Sequence, residues 1–314
     1  MPLRPPAIIL TSLMLSPLML SACGEPNSGP DAELSPPAAE ETAMVSEPVG
    51  PEIGSLEWAL AGEWRGEQGA RDAARNPAET LSFFEVDPAS TVMEIWPGGG
   101  WYANILAPWV ENNGGRYIAA WTPVDPQNDR AAAFRDAFTE RMSAEPFGEI
   151  ELTSFGPETG PIAEAGSIDT ILTFRNAHSW MGRGMAEKAF ADFHAALKPG
   201  GHLGLVAHRL PATREQDPRA SSGYVQQDYV IALATEAGFE LVNASEINAN
   251  PADTADHPFG VWTLPPVLRS APRGEPTDPE FDQTPYLTIG ESDRMTLLFR
   301  KRVDGLDGAE TDAE

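Results

Sequence analysis

Residues 92–102, with the sequence VMEIWPGGGWY, decide the fold class. Residues 91–96 are a short apolar run that predicts a buried strand, and residues 100–110 have the pattern of a helix. The glycines between them predict a tight turn, where the backbone can approach a ligand because glycine has no Cβ. The free N–H groups of the first helical turn would face the same ligand. A strand, a glycine-rich turn and a helix together predict a binding site at the carboxyl end of the strand.

The alternation of strands and helices continues along the chain. Further strands are predicted at 116–121, 149–155, 167–174, 202–208, 239–246 and 294–301, and helices within 55–84 and at 128–143, 184–197 and 223–237. Strands separated by about 10 to 15 helical residues need crossover connections. Right-handed crossovers cover both faces of a parallel sheet with helices, so the sequence predicts an α/β, doubly wound fold.

The composition excludes several classes of protein. The 314 residues include 21 Lys and Arg against 47 Asp and Glu, a formal net charge of −26. Such a surface repels phosphate backbones, so we expect no nucleic-acid partner. The single cysteine excludes an intrachain disulfide and a thiolate zinc cluster.

The amino terminus has the pattern of a secretory signal. Arg4 precedes an apolar stretch that is too short to span a membrane, and Cys23 follows the small residue Ala22. This arrangement resembles the bacterial lipobox, which implies lipidation of Cys23, a membrane anchor, and a location in the bacterial cell envelope on the periplasmic side. The alternative is an ordinary signal peptide with a cysteine there by coincidence.

Composition also divides the rest of the chain. Residues 1–22 are the predicted signal peptide, and residues 23–54, rich in Pro, Ala, Glu and Ser, predict a disordered acidic tether. One folded domain is expected over 55–302, followed by an acidic, disordered tail at 303–314. The segment 247–293 is too long for an idle connection, and its aromatic and proline content predicts an ordered lid.

Between residues 80 and 302 the chain resembles class I methyltransferases that depend on S-adenosyl-L-methionine (SAM). The resemblance rests on Glu94 before the glycines, on the turn LKPGG at 197–201, and on a last strand that follows a hairpin-like return. Within the class, residues 94–102, 256–266 and 292–295 are similar to a group of exported bacterial methyltransferases known from sequence. The resemblance implies a mostly parallel, seven-stranded, Rossmann-like sheet with an antiparallel last strand.

The resemblance also implies which residues bind SAM. Glu94, Gly98, Gly99 and Gly100 correspond to the residues that hold the amino-acid part of SAM, and the cofactor site is expected to include Trp101, Tyr102 and Trp121 as well. Two positions depart from the class. Trp96 replaces the usual first glycine, and Trp121 lies at or near the position of the carboxylate that binds the ribose hydroxyls, where an indole offers only a donor.

The end of the fourth strand carries candidate catalytic residues. Asn176 suits an acceptor amine or hydroxyl, Arg175 suits a carboxylate or phosphate, and His178 suits proton removal near neutral pH. The alternative is a polar loop that caps the next helix. His178, His208 and His257 would bind a metal with Asp253 or Asp256 only if the lid brought them together; their spacing gives no support for this, and no metal site is predicted.

Two functions stay open from the sequence. The first is a lipid-anchored SAM-dependent methyltransferase that acts on a small-molecule or envelope acceptor. The second is a non-catalytic binding lipoprotein that keeps a degenerate methyltransferase fold. An open cleft above Gly98 and Gly100 favours the first, whereas Trp96 or Trp121 in the adenosine position favours the second.

Overall fold

The computed structural model describes residues 50–125 and 127–303. The predicted signal peptide, Cys23, most of the predicted tether and nearly all of the predicted tail lie outside the described residues. The end of the tether contacts the domain, because Asn113 donates a hydrogen bond to the carbonyl oxygen of Gly54 at 2.8 Å. Within the described ranges, no helix is both long and apolar enough to cross a membrane.

The described residues form nine α-helices, eight strands and two 3₁₀ segments. The helices are α1 (Leu56–Ala61), α2 (Asp72–Arg75), α3 (Pro77–Phe83), α4 (Ala103–Glu111), α5 (Asp129–Met142), α6 (Ala177–Gly182), α7 (Ala186–Ala196), α8 (Gln227–Glu236) and α9 (Thr284–Ile289). The strands are β1 (Thr91–Ile95), β2 (Arg116–Trp121), β3 (Glu151–Ser154), β4 (Ile168–Phe174), β5 (Leu197–Leu210), β6 (Val225–Gln226), β7 (Phe239–Ser245) and β8 (Arg294–Lys301). The 3₁₀ segments are Glu63–Arg71 and Gly260–Thr263.

The strands form one mixed sheet in the order β3-β2-β1-β4-β5-β8-β7, and β6 pairs only with β5. The pairs from β3 through to β5 are parallel, whereas β8 runs antiparallel to both β5 and β7. This confirms the predicted doubly wound α/β fold with an antiparallel last strand. The short strand β6 was not predicted.

Helices cover both faces of the sheet. One apolar cluster joins β1, β4 and β5 to α7 and α8 through side chains such as Phe193 and Val230. The other joins the opposite face to α3, α4 and α5 through Leu81, Leu106 and Phe138. At Gly204 in β5, a Cβ would lie 2.6 Å from the ring of Phe84, so the amino-terminal helices approach the sheet closely only because this strand position has no side chain.

One prediction about local structure was wrong, and helix α6 was not predicted. Residues 177–182 form α6 at the end of the segment 174–180, for which a polar loop was one expectation. The predicted turn at 198–201 lies inside β5, because Leu197 already pairs with Ile168 and the register shifts immediately afterwards. Tertiary pairing here overrides the local preference of proline and glycine for a turn.

The topology brings one set of strand ends together. β1, β4 and β5 are parallel, so their carboxyl ends lie at the same edge of the sheet. β8 is antiparallel, so its amino end, at Arg294, lies at that edge too, paired with His208 of β5. Ligands of doubly wound sheets bind at this edge.

Candidate functional site

A cleft of about 390 Å³ opens at this edge of the sheet. Its lining residues come from four parts of the chain. They are residues before β1 (Gln68, Arg71, Arg75), β1 and the glycine turn (Glu94, Trp96, Pro97, Gly98, Gly99, Trp101, Tyr102), the ends of β4 and β5 with the start of α6 (Phe174, Arg175, Asn176, His178, His208), and the segment 247–293 (Val261, Trp262, Pro265, Pro266, Val267, Glu291, Ser292). The predicted lid is therefore ordered and forms one wall of the cleft.

The glycine turn is open toward the cleft at two of its three positions. A Cβ at Gly98 or Gly99 would meet no atom within 4 Å. Gly100 does not line the cleft: its φ is +78°, and a Cβ there would lie 2.5 Å from Arg141 and 3.1 Å from Phe138. Gly98 and Gly99 thus have the predicted position, whereas Gly100 serves the packing of the turn against α5.

Glu94 is a buried carboxylate at the floor of the cleft. Its Oε2 accepts a hydrogen bond from the hydroxyl of Tyr117 at 2.6 Å. Burial raises the pKa of Glu94 to about 7, although the Tyr117 hydrogen bond and the charge of Arg175 both oppose the rise. The carboxyl group therefore changes charge close to neutral pH.

Trp96 lies in the position where the methyltransferase class has a glycine, and it keeps the backbone shape of a glycine. Its φ is +48°, which costs a non-glycine residue conformational energy. The indole is held by a hydrogen bond from Nε1 to the carbonyl oxygen of Phe155 at 2.8 Å and by edge contact with Trp180. These contacts hold the ring against the core below the cleft.

Trp121 does not reach the cleft, so the prediction that it contacts the cofactor is not supported by its position. It is buried at the end of β2, and its ring packs on Phe138 at 4.6 Å and near Phe134 at 6.0 Å. The ring faces α5 because alternate side chains of β2 point to opposite faces of the sheet. No carboxylate from the end of β2 lines the cleft.

Trp101 and Tyr102, which the sequence predicts in the cofactor site, line the cleft and also build its wall. The indole of Trp101 donates to the carbonyl oxygen of Gln68 at 3.0 Å, and the guanidinium of Arg75 lies 4.6 Å from the ring centre. Tyr102 stacks on Phe174 with 3.4 Å between ring centres. These rings join the glycine turn to the amino-terminal helices and to β4.

An arginine cluster around Glu291 was missed by the sequence analysis. Glu291 oxygens lie 2.7 Å from Arg71, 3.1 Å from Arg75, 3.2 Å from Arg294 and 3.9 Å from Arg175. Burial alone would raise the pKa of Glu291, but the four guanidinium groups together lower it. Four cations against one carboxylate leave the site with excess positive charge. In the sequence, the only sign of this cluster is that Arg71 and Arg75 lie four residues apart, which is about one helical turn.

Burial also perturbs the arginine that packs on Trp101. Burial, together with the nearby charges of Arg175 and Arg71, lowers the pKa of Arg75 to about 9 against the opposing effect of Glu291. The Nη1 atom of Arg75 is buried and has no hydrogen-bond partner among the described residues. An unpaired buried donor costs free energy until a ligand accepts from it.

Asn176 and Arg175 are held tightly at the end of β4. The amide nitrogen of Asn176 donates to the carbonyl oxygen of Ile95 at 2.8 Å and lies 3.3 Å from the hydroxyl of Thr173. Arg175 has a φ of +65°, and its N–H donates to Val206 at 2.6 Å. The Asn176 side chain therefore joins the ends of β1 and β4 in addition to lining the cleft.

His178 and His208 are adjacent and uncharged at neutral pH. Burial, and then Arg175, lower the pKa of His178 to about 4, and burial, followed by the charge of His178, lowers the pKa of His208 well below its ordinary value. Their ring centres are 5.6 Å apart, and Nδ1 of His208 lies 2.6 Å from the hydroxyl of Ser292. A neutral His178 accepts a proton but holds it less tightly than a free histidine would.

The residues considered as metal ligands do not converge. Nε2 of His257 lies 2.8 Å from Asp253, and the hydroxyl of Tyr224 lies 3.0 Å from the same carboxylate. His178 and His208 instead face the cleft. In the part of the chain that the structure describes, no three His, Cys, Asp or Glu side chains form a metal-binding group.

No protein-family model matches the chain, and no curated protein is significantly similar to it. Among solved structures, a SAM-dependent methyltransferase from Aquifex aeolicus is 16% identical and covers 57% of this chain and 87% of its own, with a TM-score of 0.45. One from Mesorhizobium loti is 13% identical, covers 75% and 100%, and has a TM-score of 0.42. The 4+2 cyclase SpnF is 13% identical, covers 82% and 98%, and has a TM-score of 0.48. The fold assignment here rests on the strand order and pairing described above, which are those of the Rossmann-like methyltransferase fold.

Replacing Glu94 with Gln tests its buried, titrating state. Since the folded protein raises the pKa of Glu94 from 4.5 to about 7, the stability it contributes is fully present below pH 4.5 and is lost as the pH rises through 7. The unfolding free energy of the wild type, relative to Glu94→Gln, should therefore fall by about 3 kcal/mol across that window. Urea unfolding at several pH values measures this difference.

The titration of His178 and His208 does not affect that comparison. His178 and His208 have lowered pKa values, so their contribution is lost as the pH falls below 6.5. They are present in both proteins, and their contribution cancels in the difference. Parallel stability curves for the two proteins would show that Glu94 is ionised and solvated in the folded state.

Proposed function

We propose that the chain is a SAM-dependent methyltransferase. The observation that supports this most is that one cleft brings together the open turn at Gly98 and Gly99, the carboxylate of Glu94 and the arginine cluster. The amino-acid part of SAM carries an ammonium and a carboxylate. Glu94 would accept hydrogen bonds from the ammonium, and Arg71 or Arg75 would bind the carboxylate.

The residues present fit the amino-acid part of SAM better than its ribose. Gly98 and Gly99 leave room for a ligand against the backbone, and the unpartnered Nη1 of Arg75 is a donor ready for an anion. Trp121 supplies no acceptor for the ribose hydroxyls, which distinguishes this site from the usual pattern of the class. When bound, SAM supplies an electrophilic methyl group on sulfur; the chain itself has to orient the acceptor and keep water out.

Calorimetric titration of SAM and S-adenosylhomocysteine into the protein tests this function. We expect micromolar binding by the wild type and a loss of about tenfold or more in Gly99→Trp, because the indole would fill the open space in front of the turn. Gly160→Trp is the matched control, since Gly160 is exposed, equally open and outside the cleft. No binding at millimolar ligand would favour the alternative, a non-catalytic lipoprotein that uses the cleft for another ligand.

We further propose catalytic roles for three residues at the end of β4. Asn176 and Arg175 would orient the acceptor, and the neutral ring of His178 would take its proton. All three line the cleft, next to the turn that would hold the methyl donor. The low pKa of His178 suits brief acceptance of a proton that is then released to solvent.

The variant His178→Gln separates catalysis from binding. Transfer of label from methyl-tritiated SAM into a bacterial envelope extract should slow by about 100-fold, the range expected for a lost general base, while the calorimetric Kd for SAM stays the same. His202→Gln is the control, because His202 lies on β5 outside the cleft. Equal losses in transfer and in SAM affinity would assign His178 to binding.

The proposed location is the bacterial cell envelope, with the domain anchored through lipid on Cys23 and facing the periplasm. The support is the apolar stretch before Ala22 and Cys23 and the acidic sequence that follows. Several acyl chains on one cysteine bind a membrane firmly, since each buried methylene contributes about 0.8 kcal/mol.

Replacing Cys23 with Ser removes the sulfur that the lipid would occupy. We expect the variant to move from the membrane fraction to the soluble fraction of the envelope, whereas the wild type stays in the membrane through a high-salt wash. Fractionation and immunoblotting measure the distribution. Membrane association of Cys23→Ser equal to that of the wild type would point to another anchor.

A further inference from the structure

A second cavity, of about 620 Å³, lies directly beside the proposed SAM cleft. His178 and Trp262 line both cavities and therefore form the partition between them. The other residues that line the second cavity are Ser179, Gly182, Arg183, Arg219, Ala220, Ser221, Arg269 and Arg273. Four of these are arginines and none is acidic, in a chain whose formal net charge is −26.

The four arginines come from three separate parts of the chain. Arg183 follows α6, Arg219 lies in the loop before β6, and Arg269 and Arg273 belong to the segment 247–293. The fold therefore brings positive charge together from distant positions. Arg183, Arg219 and Arg273 are exposed and Arg269 is half-buried, so their guanidinium groups can reach a ligand from solvent.

None of these four arginines forms an ion pair with a described carboxylate. Arg183 lies over the ring of Trp96 at 4.8 Å and donates to Thr122 at 3.4 Å. Arg269 lies over Trp262 at 4.8 Å. Both guanidinium groups are thus placed by aromatic faces, which leaves their edges available as donors.

The remaining two arginines also lack a carboxylate partner. Arg219 donates from its side chain to the carbonyl oxygen of Gly182 at 3.1 Å. Asp217 accepts the backbone N–H groups of Arg219 and Ser221 at 2.9 and 2.7 Å, and these hydrogen bonds, together with the charge of Arg219, lower its pKa. Asp217 shapes the loop, and among the described residues it forms no ion pair with the side chain of Arg219.

We propose that the second cavity binds the phosphate or clustered carboxylates of the methyl acceptor. Planar guanidinium groups bind such oxyanions through paired hydrogen bonds, and several of them in one cavity favour a group with more than one negative charge. The neutral part of the acceptor would then extend past His178 and Trp262 toward the first cavity. The acceptor assignment rests on the proposed methyltransferase function, whereas the oxyanion site itself does not.

A small anionic molecule suits the cavity better than a polymer. The site is a half-open recess of about 620 Å³, and the acidic surface of the rest of the protein repels extended polyanions. The oxyanion could be free in solution or belong to a lipid headgroup. Both sources present the same chemistry to the arginines, and the experiment has to separate them.

The test is calorimetric titration of pyrophosphate into the full chain, without SAM and at constant ionic strength. We expect the double variant Arg219→Gln/Arg273→Gln to bind at least about tenfold more weakly than the wild type. The matched control is Arg130→Gln/Arg302→Gln, which removes the same charge from two exposed arginines that also lack ion pairs among the described residues and lie outside the cavity. Equal affinity in all three proteins, or no binding by the wild type, overturns the proposal.

Two further arms locate the anion and its source. Gly99→Trp, which fills the first cavity, should weaken pyrophosphate binding much less than the double variant does; a loss in Gly99→Trp as large as that in the double variant would place the anion at Arg71 and Arg75 and overturn the proposal. Flotation with phosphatidylcholine vesicles, with and without phosphatidylglycerol, uses Cys23→Ser to remove the anchor. Binding that needs phosphatidylglycerol and is lost in the double variant supports a headgroup as the source, and pyrophosphate binding without flotation supports a soluble anion.

The proposed function can fail separately from the oxyanion site. Pyrophosphate binding that depends on Arg219 and Arg273, in a protein that binds no SAM, would uphold the oxyanion site and overturn its assignment to a methyl acceptor.

Discussion

The geometry of the cleft depends on the buried carboxylate of Glu291. It contacts Arg71 and Arg75 before the first strand, Arg175 after β4, and Arg294 at the start of β8. These segments are far apart in sequence, and this charge network joins them at one edge of the sheet. Breaking a buried ion pair by removing one partner costs about 3–5 kcal/mol, because the other charge stays buried without compensation. The wall of the cleft therefore depends on a residue that need not touch the ligand.

The same network gives the site a charge opposite to that of the whole molecule. The chain carries a net charge of −26, yet the cleft and the neighbouring cavity collect arginines whose charge is only partly neutralised. A local positive field inside an acidic molecule attracts small anions to the site and repels large ones from the surface. The combination agrees with a ligand that carries carboxylate or phosphate groups.

Two of the seven described non-glycine residues with a positive φ lie at the same edge. Trp96 and Arg175 follow neighbouring strands, and both have left-handed φ values. Each is held in that conformation, Trp96 by its indole hydrogen bond and Arg175 by its N–H to Val206. Strained backbone persists only where surrounding contacts enforce it, and such positions cluster at functional sites. At Trp96 the turn has a backbone conformation that glycine adopts more readily than tryptophan does.

The sequence by itself determined the fold class and the position of the cleft. The alternation of apolar strands with helices is local information, and the boundaries of β2 and β8 agree with the prediction residue for residue. It also singled out Gly98, Gly99 and Glu94, which line the cleft, through a glycine turn after a buried strand together with the resemblance to SAM-dependent methyltransferases. The chemistry of the site could not be derived in the same way.

Only the tertiary structure decided which side chains meet. The Arg71 to Arg294 cluster and the four arginines of the second cavity come from segments separated by tens to hundreds of residues, and no local pattern marks them. The structure also shows that Trp121 and Gly100 do not line the cleft. Both pack against α5, and this packing could not be derived from the sequence. The burial of a group and the charges around it depend on all of its neighbours in space. The pKa values of Glu94 and His178 therefore depend on the fold and cannot be derived from the local sequence.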